Sequence, residues 1–125
     1  MINKVYWYLF SSDVPGLVDF YSRVLGFGIK SRWPEEGDVM WAWLDRDVAA
    51  VIIEGAEEDL AGVNRAGAAL YFDVADADAL CAEFTGRGAS IPEGPADTPN
   101  ATREFEIRDP DGNRLIFGMR LPGAG

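Results

Sequence analysis

Hydrophobic and polar positions alternate most clearly near the C-terminal end. There Phe105-Glu106-Ile107 and Leu115-Ile116-Phe117 flank Asp109-Pro110-Asp111-Gly112-Asn113. A period of two puts Phe105 and Ile107 on one strand face and Glu104, Glu106 and Arg108 on the other. Pro110 presets a turn and Gly112 and Asn113 tolerate positive φ, so residues 103–117 read as a β-hairpin. At the other end, Val5, Trp7 and Leu9 alternate with Tyr6, Tyr8 and Phe10. Both sets are apolar, which predicts a strand over residues 5–10 buried on both sides.

The pattern then changes period. Ser11-Ser12-Asp13 supply a helix N-cap and Pro15 sits in the first turn. Leu17, Phe20, Tyr21, Val24 and Leu25 recur at helical spacing until Gly26 and Gly28 end the run. A second strand is expected over residues 27–32, then a loop over 33–38 that opens with an exposed Trp33. In the strand over 39–44, Met40, Ala42 and Leu44 share one face and Trp41 and Trp43 the other. A turn at 45–47 leads into a strand over 48–53, completing a βαβββ order. Residues 68–74, 76–86 (capped by Asp76), 89–91 and the hairpin repeat it, with a Pro-rich loop over 92–100.

The repetition holds residue by residue. The offset of 63 between Asp13 and Asp76 also pairs Tyr8 with Tyr71, Leu17 with Leu80, Tyr21 with Phe84 and Trp41 with Glu104. It further pairs Arg46-Asp47 with the turn at Asp109-Pro110, Ile53 with Ile116 and Gly55 with Gly118. Strand parity, turn and terminal glycine stay in step, the mark of an internal duplication. The expectation is one α+β domain over residues 1–125: module one in 1–55, a linker in 56–66 and module two in 67–120.

Composition narrows the chemistry. A chain of 125 residues, 48% hydrophobic and 26% charged, suits one compact domain or two half-domains. Net charge of −10 lacks the basic footprint that nucleic acid requires. No apolar run approaches the ~20 residues of a membrane span. The start of the chain runs straight into a strand pattern, so no signal peptide is expected. The single Cys81 forms no internal disulfide and fits a reducing cytoplasm. Its apolar helix face points to a packed thiol. The chain has no histidine, which removes Ser-His and Cys-His pairs and imidazole ligation of zinc or iron.

DFYSRVLGF (residues 19–27) and REFEIRDPDGN (residues 103–113), placed alike in the two halves, resemble the vicinal oxygen chelate superfamily. That superfamily includes glyoxalase I, extradiol dioxygenases, fosfomycin-resistance enzymes and bleomycin-resistance proteins. The likeness spans residues 3–119 and implies two tandem βαβββ modules curling into a cupped mixed sheet, usually completed as a homodimer. It also implies metal positions on the first and last strands of each module, which by spacing fall on Tyr6, Ala69, Ile53 and Ile116. None of these four can ligate a divalent ion, and Glu54 lies one residue out of register. No metal or other cofactor is therefore expected.

The same parity lists Tyr6, Tyr8, Trp41, Trp43, Tyr71, Glu104, Glu106, Ile53 and Ile116 as facing the cup. Aromatic stripes also fill cores and dimer seams. Four or more facing one concavity favour stacking on a flat ligand, and carboxylates nearby favour a cationic one. The metal-free branch implied by REFEIRDPDGNRLIF is that of bleomycin-resistance-type proteins, which sequester a bulky, partly cationic antibiotic at a dimer interface. Its aromatic residue ahead of Arg103 is here Ala101-Thr102, a role Trp33 could take over. The expectation is a metal-free binding protein using Tyr6, Tyr8, Trp33, Trp41, Trp43, Tyr71, Glu104 and Glu106. The alternative is a metal-independent isomerase or epimerase with Glu104 or Glu106 as general base. A carboxylate-only metalloenzyme and a ligand-free dimerisation module rank behind these.

Overall fold

The computed structural model describes residues 1–56 and 67–123. The expected linker, past Ala56, lies outside the described residues. The chain divides into two compact units, Met1–Val63 and Asn64–Gly125.

In the first unit, β1 (Trp7–Ser11) leads into α1 (Val14–Asp19), which continues as a π-helical turn (Phe20–Val24). β2 (Gly28–Trp33), β3 (Trp41–Arg46) and β4 (Ala49–Gly55) follow. The sheet order is β1-β4-β3-β2, with β1 and β4 parallel and the other pairs antiparallel. Asp13 caps α1 by accepting from the Gly16 amide at 3.1 Å, and Pro15 occupies the first turn, as the sequence pattern predicts. The wider π turn, closed by the Leu25 amide on the Phe20 carbonyl at 3.1 Å, has no counterpart in that pattern. Helical Val14, Leu17, Val18, Tyr21, Val24 and Leu25 are buried, as are Leu9, Ala42, Leu44, Val51 and Ile53 of the sheet. The opposite face of the sheet is less enclosed, with Trp41, Trp43 and Ile52 half-buried.

That corrects the expectation for β1. Leu9 and Ser11 are buried at 3% and 1%, but Tyr6, Tyr8 and Phe10 keep 39%, 42% and 45% of their surface. The run is apolar on both sides because its second side presents aromatic rings, not because it is enclosed. The turn between β3 and β4 also falls later than expected, on Asp47-Val48, with Asp47 at φ 53°.

In the second unit, β5 (Leu70–Asp73), α2 (Ala77–Gly86), β6 (Ala96–Asp97), β7 (Thr102–Arg108) and β8 (Arg114–Arg120) repeat the order as β5-β8-β7-β6. Asp76 caps α2 through the Ala79 amide at 3.0 Å. Phe84 of α2 meets Phe105 and Phe117 edge to face at 6.1 and 5.1 Å, and Ala77, Cys81, Ile107 and Leu115 are buried with them. Residues 89–91, expected as a strand, form none. The short β6 lies instead inside the stretch expected as a loop, where Ala96 and Asp97 pair with Glu104 and Arg103. Arg103 secures this edge, bonding Asp97 at 2.9 Å and Asp78 of α2 at 3.0 Å. Polar contacts distant in sequence thus decide an element that local composition hides.

The hairpin turns of the two units differ by one residue. β3 and β4 close on Asp47-Val48 inside the Arg46–Ala49 pair. In the second unit the Asp109 amide donates to the Asn113 carbonyl at 3.1 Å, and Pro110-Asp111-Gly112 lie between. The offset of 63 therefore holds as far as β3 and β7 and becomes 64 in β4 and β8, where Ile52 matches Ile116.

Candidate functional site

A one-residue step on a strand exchanges its faces. Tyr8 pairs with Ile52 and Tyr71 with Ile116, so Ile52, not Ile53, is the structural equivalent of Ile116. Ile53 pairs with Leu9 and Ala42 and is fully buried among the helix-side residues, which corrects its expected place among the cup-facing positions. Glu54, set aside above as belonging to the opposite face, stands on the open one. It lies between Phe10 of β1 and Trp41 of β3, and Trp41 in turn pairs with Trp33 of β2. The row across the first sheet is Phe10, Glu54, Trp41, Trp33, and the next row holds Tyr8, Ile52, Trp43 and Ser31.

Six aromatic side chains consequently share the open face of one four-stranded sheet: Tyr6, Tyr8, Phe10, Trp33, Trp41 and Trp43. Tyr8 and Phe10 stack with centroids 5.0 Å apart, and Tyr6 meets Trp43 edge-on at 5.6 Å. Trp33 is the most open, with 61% of its surface exposed, and it ends β2 instead of tipping the following loop. Arg32 braces that loop, donating to the carbonyls of Pro34 at 3.0 Å and Gly37 at 2.5 Å. The Trp43 indole N–H is buried and has no hydrogen-bond partner. The Tyr8 hydroxyl donates to Glu54 Oε1 at 2.5 Å, and this bond, with some desolvation, holds the phenol above its ordinary pKa.

The second sheet carries a more polar open face. Tyr71, with 48% exposure, donates to Glu104 Oε2 at 2.8 Å, and the Thr102 hydroxyl donates to the same oxygen at 2.8 Å. Burial and the Glu104 bond raise the Tyr71 phenol pKa. Gly118 makes this geometry possible, because a Cβ there would collide with the Tyr71 hydroxyl and approach Glu104 Cγ at 2.9 Å. Gly118 is the counterpart of Glu54, so the tyrosines Tyr8 and Tyr71 each find a carboxylate, one on the last strand and one on the third. Glu106 is engaged differently. Arg114 bonds it at 2.8 Å and Arg108 lies at 3.5 Å, and the Arg114 hydrogen bond holds its carboxyl below the ordinary range. A general base working near neutrality needs the opposite shift, so Glu106 is poorly suited to that role.

The metal of the catalytic relatives finds no fit in this donor set. Among the described residues no three of His, Cys, Asp and Glu gather where an ion could be held. Tyr6 and Ala69 offer no carboxylate or imidazole, and Glu54 is already the acceptor of a phenol. No helix among the described residues is long and apolar enough to cross a membrane.

A twice-repeated βαβββ order defines a fold class, and the sequence match agrees with it. Residues 2–117 match the Glyoxalase/Bleomycin resistance protein/Dioxygenase superfamily, and the chain belongs to that family. No curated protein matches its sequence. Among solved structures, it resembles TioX from Micromonospora sp. ML1 at 27% identity and TM-score 0.77, covering 96% of this chain and 100% of that one. It resembles the bleomycin-binding protein of bleomycin-producing Streptomyces verticillus, solved with copper(II)-bleomycin, at 29% identity and TM-score 0.66. That match covers 94% of this chain and 95% of the other. TnmS3, an antibiotic binding protein from Streptomyces sp. CB03234, shares the fold at 23% identity and TM-score 0.68, covering 96% and 97%.

Proposed function

We propose that this chain is a metal-free small-molecule-binding protein that sequesters a planar aromatic compound of the bleomycin-antibiotic kind. The observation that carries the reading is the open aromatic face of the first sheet, on which Tyr6, Tyr8, Trp33, Trp41 and Trp43 offer ring surfaces to a flat ligand. Side chains of this size left in water lose favourable burial, and a stacked ring recovers it while gaining about 0.5–1.5 kcal/mol per aromatic pair. The open face of the second sheet, taken by itself, carries polar groups that such compounds can also engage, Tyr71, Glu104 and Glu106, the last with its charge largely offset by Arg114. The similarity to the Streptomyces verticillus bleomycin-binding protein supports the ligand class. The proposed working form is a cytoplasmic homodimer, in keeping with the exposed apolar side chains and the unpaired Cys81.

Tryptophan fluorescence tests this directly. Titration with copper(II)-bleomycin and a panel of metal-free planar heteroaromatics is expected to give saturable quenching by at least one compound. Trp41→Ala should weaken that binding about tenfold or more, as loss of a stacked anchor does. A flat response across the panel, with the protein folded, would overturn the assignment.

A further inference from the structure

We propose that Glu54 is the charge-reading residue of the first sheet and that the ligand it selects carries an organic cation, a protonated amine or an amidinium, beside its flat ring. The proposal rests on the stacking function above and adds to it a specificity-determining group that sequence spacing had placed on the wrong face.

Three observations converge. Glu54 is the open-face carboxylate set among the rings, flanked in register by Phe10 and Trp41 with Trp33 one strand further. Ring faces attract a cation and a carboxylate neutralises it, the pairing by which aromatic boxes hold ammonium groups. Second, Glu54 has no arginine or lysine of its own among the described residues. Glu106, on the second sheet, is answered by Arg114, and Asp45, on the first, lies 4.0 Å from Lys4 and 3.8 Å from Lys30. Third, the Tyr8 hydroxyl fixes one carboxylate oxygen through the 2.5 Å bond, leaving the other to receive a donor without first being ordered. A neutral acceptor group in the ligand has no such counterpart at Glu54, because a carboxylate donates nothing.

The test uses two probes of similar outline and without N–H donors, the permanently charged 10-methylacridinium and the neutral N-methyl acridone, titrated into the full chain by tryptophan fluorescence. Wild-type protein should bind the cation at least about tenfold more tightly than the neutral ring, the range of one cation held against ring faces with a carboxylate beside it. Glu54→Gln should abolish that preference while leaving N-methyl acridone binding within about twofold. Tyr8→Phe should reduce the preference only partly, since the carboxylate remains but is no longer held. Equal binding of both probes, or a preference that survives Glu54→Gln, would overturn the proposal and leave the stacking function standing. Absence of binding by either probe, together with a flat response to copper(II)-bleomycin, would remove both. Concentration-dependent shielding of the tryptophans without any ligand response would assign the face to a second copy of the chain and likewise overturn the proposal. Circular dichroism of each variant confirms that the fold is retained.

Discussion

Asp109 shows how much one side chain in a turn can hold. It is buried to 4% exposure, and its carboxylate accepts from the Asp111 and Asn113 amides at 3.0 and 2.9 Å and from Asn113 Nδ2 at 2.7 Å. Asp109→Ala strands buried donors and should cost about 2–3 kcal/mol in urea denaturation. Gly118 controls a neighbouring tyrosine. Gly118→Ala should push the Tyr71 hydroxyl off Glu104, at a cost below about 1 kcal/mol because the far end of a flexible side chain yields. Ultraviolet titration should then find Tyr71 returning toward the ordinary phenol value. Glu106 supplies a pH-linked case. Its folded pKa is depressed by Arg114, so the pair stabilises above the unfolded glutamate value of about 4.3, and that contribution is lost as pH falls through the lowered one. With both side chains about one-third exposed, Glu106→Gln should cost less than about 1 kcal/mol at neutral pH and flatten the acid limb of a stability–pH series.

Elements with local signals were the legible ones. Both helix starts were readable because an aspartate N-cap acts within three residues of itself, and Asp76→Ala should cost about 1 kcal/mol by thermal or chemical unfolding. The β7–β8 hairpin was readable from alternation and the turn residues between its arms. The π turn after α1 and the short β6 were not. The first differs from an α-helix by a single hydrogen-bond step at residues whose apolar spacing suits either form. The second exists through Arg103, which joins Asp97 to Asp78 across 19 residues of chain. The candidate site divides the same way. Tyr8, Trp41 and Trp43 followed from parity within one strand, whereas Glu54 required the register between strands.

At the scale of the molecule, the net charge of −10 surrounds any site with a field favouring cations. Affinity for 10-methylacridinium should therefore fall as ionic strength rises, while N-methyl acridone affinity changes little; isothermal titration at several salt concentrations measures both. Duplication of a βαβββ module, the absence of histidine and the choice of aromatic over ligating side chains were all fixed by the order of residues, since each is a property of composition or spacing along one strand. Which carboxylate shares a face with the tryptophans was decided only by the folded sheet. One additional residue in the second hairpin turn changes the match between modules from 63 to 64, and side chains that alternate every residue turn that single step into opposite sides of a strand.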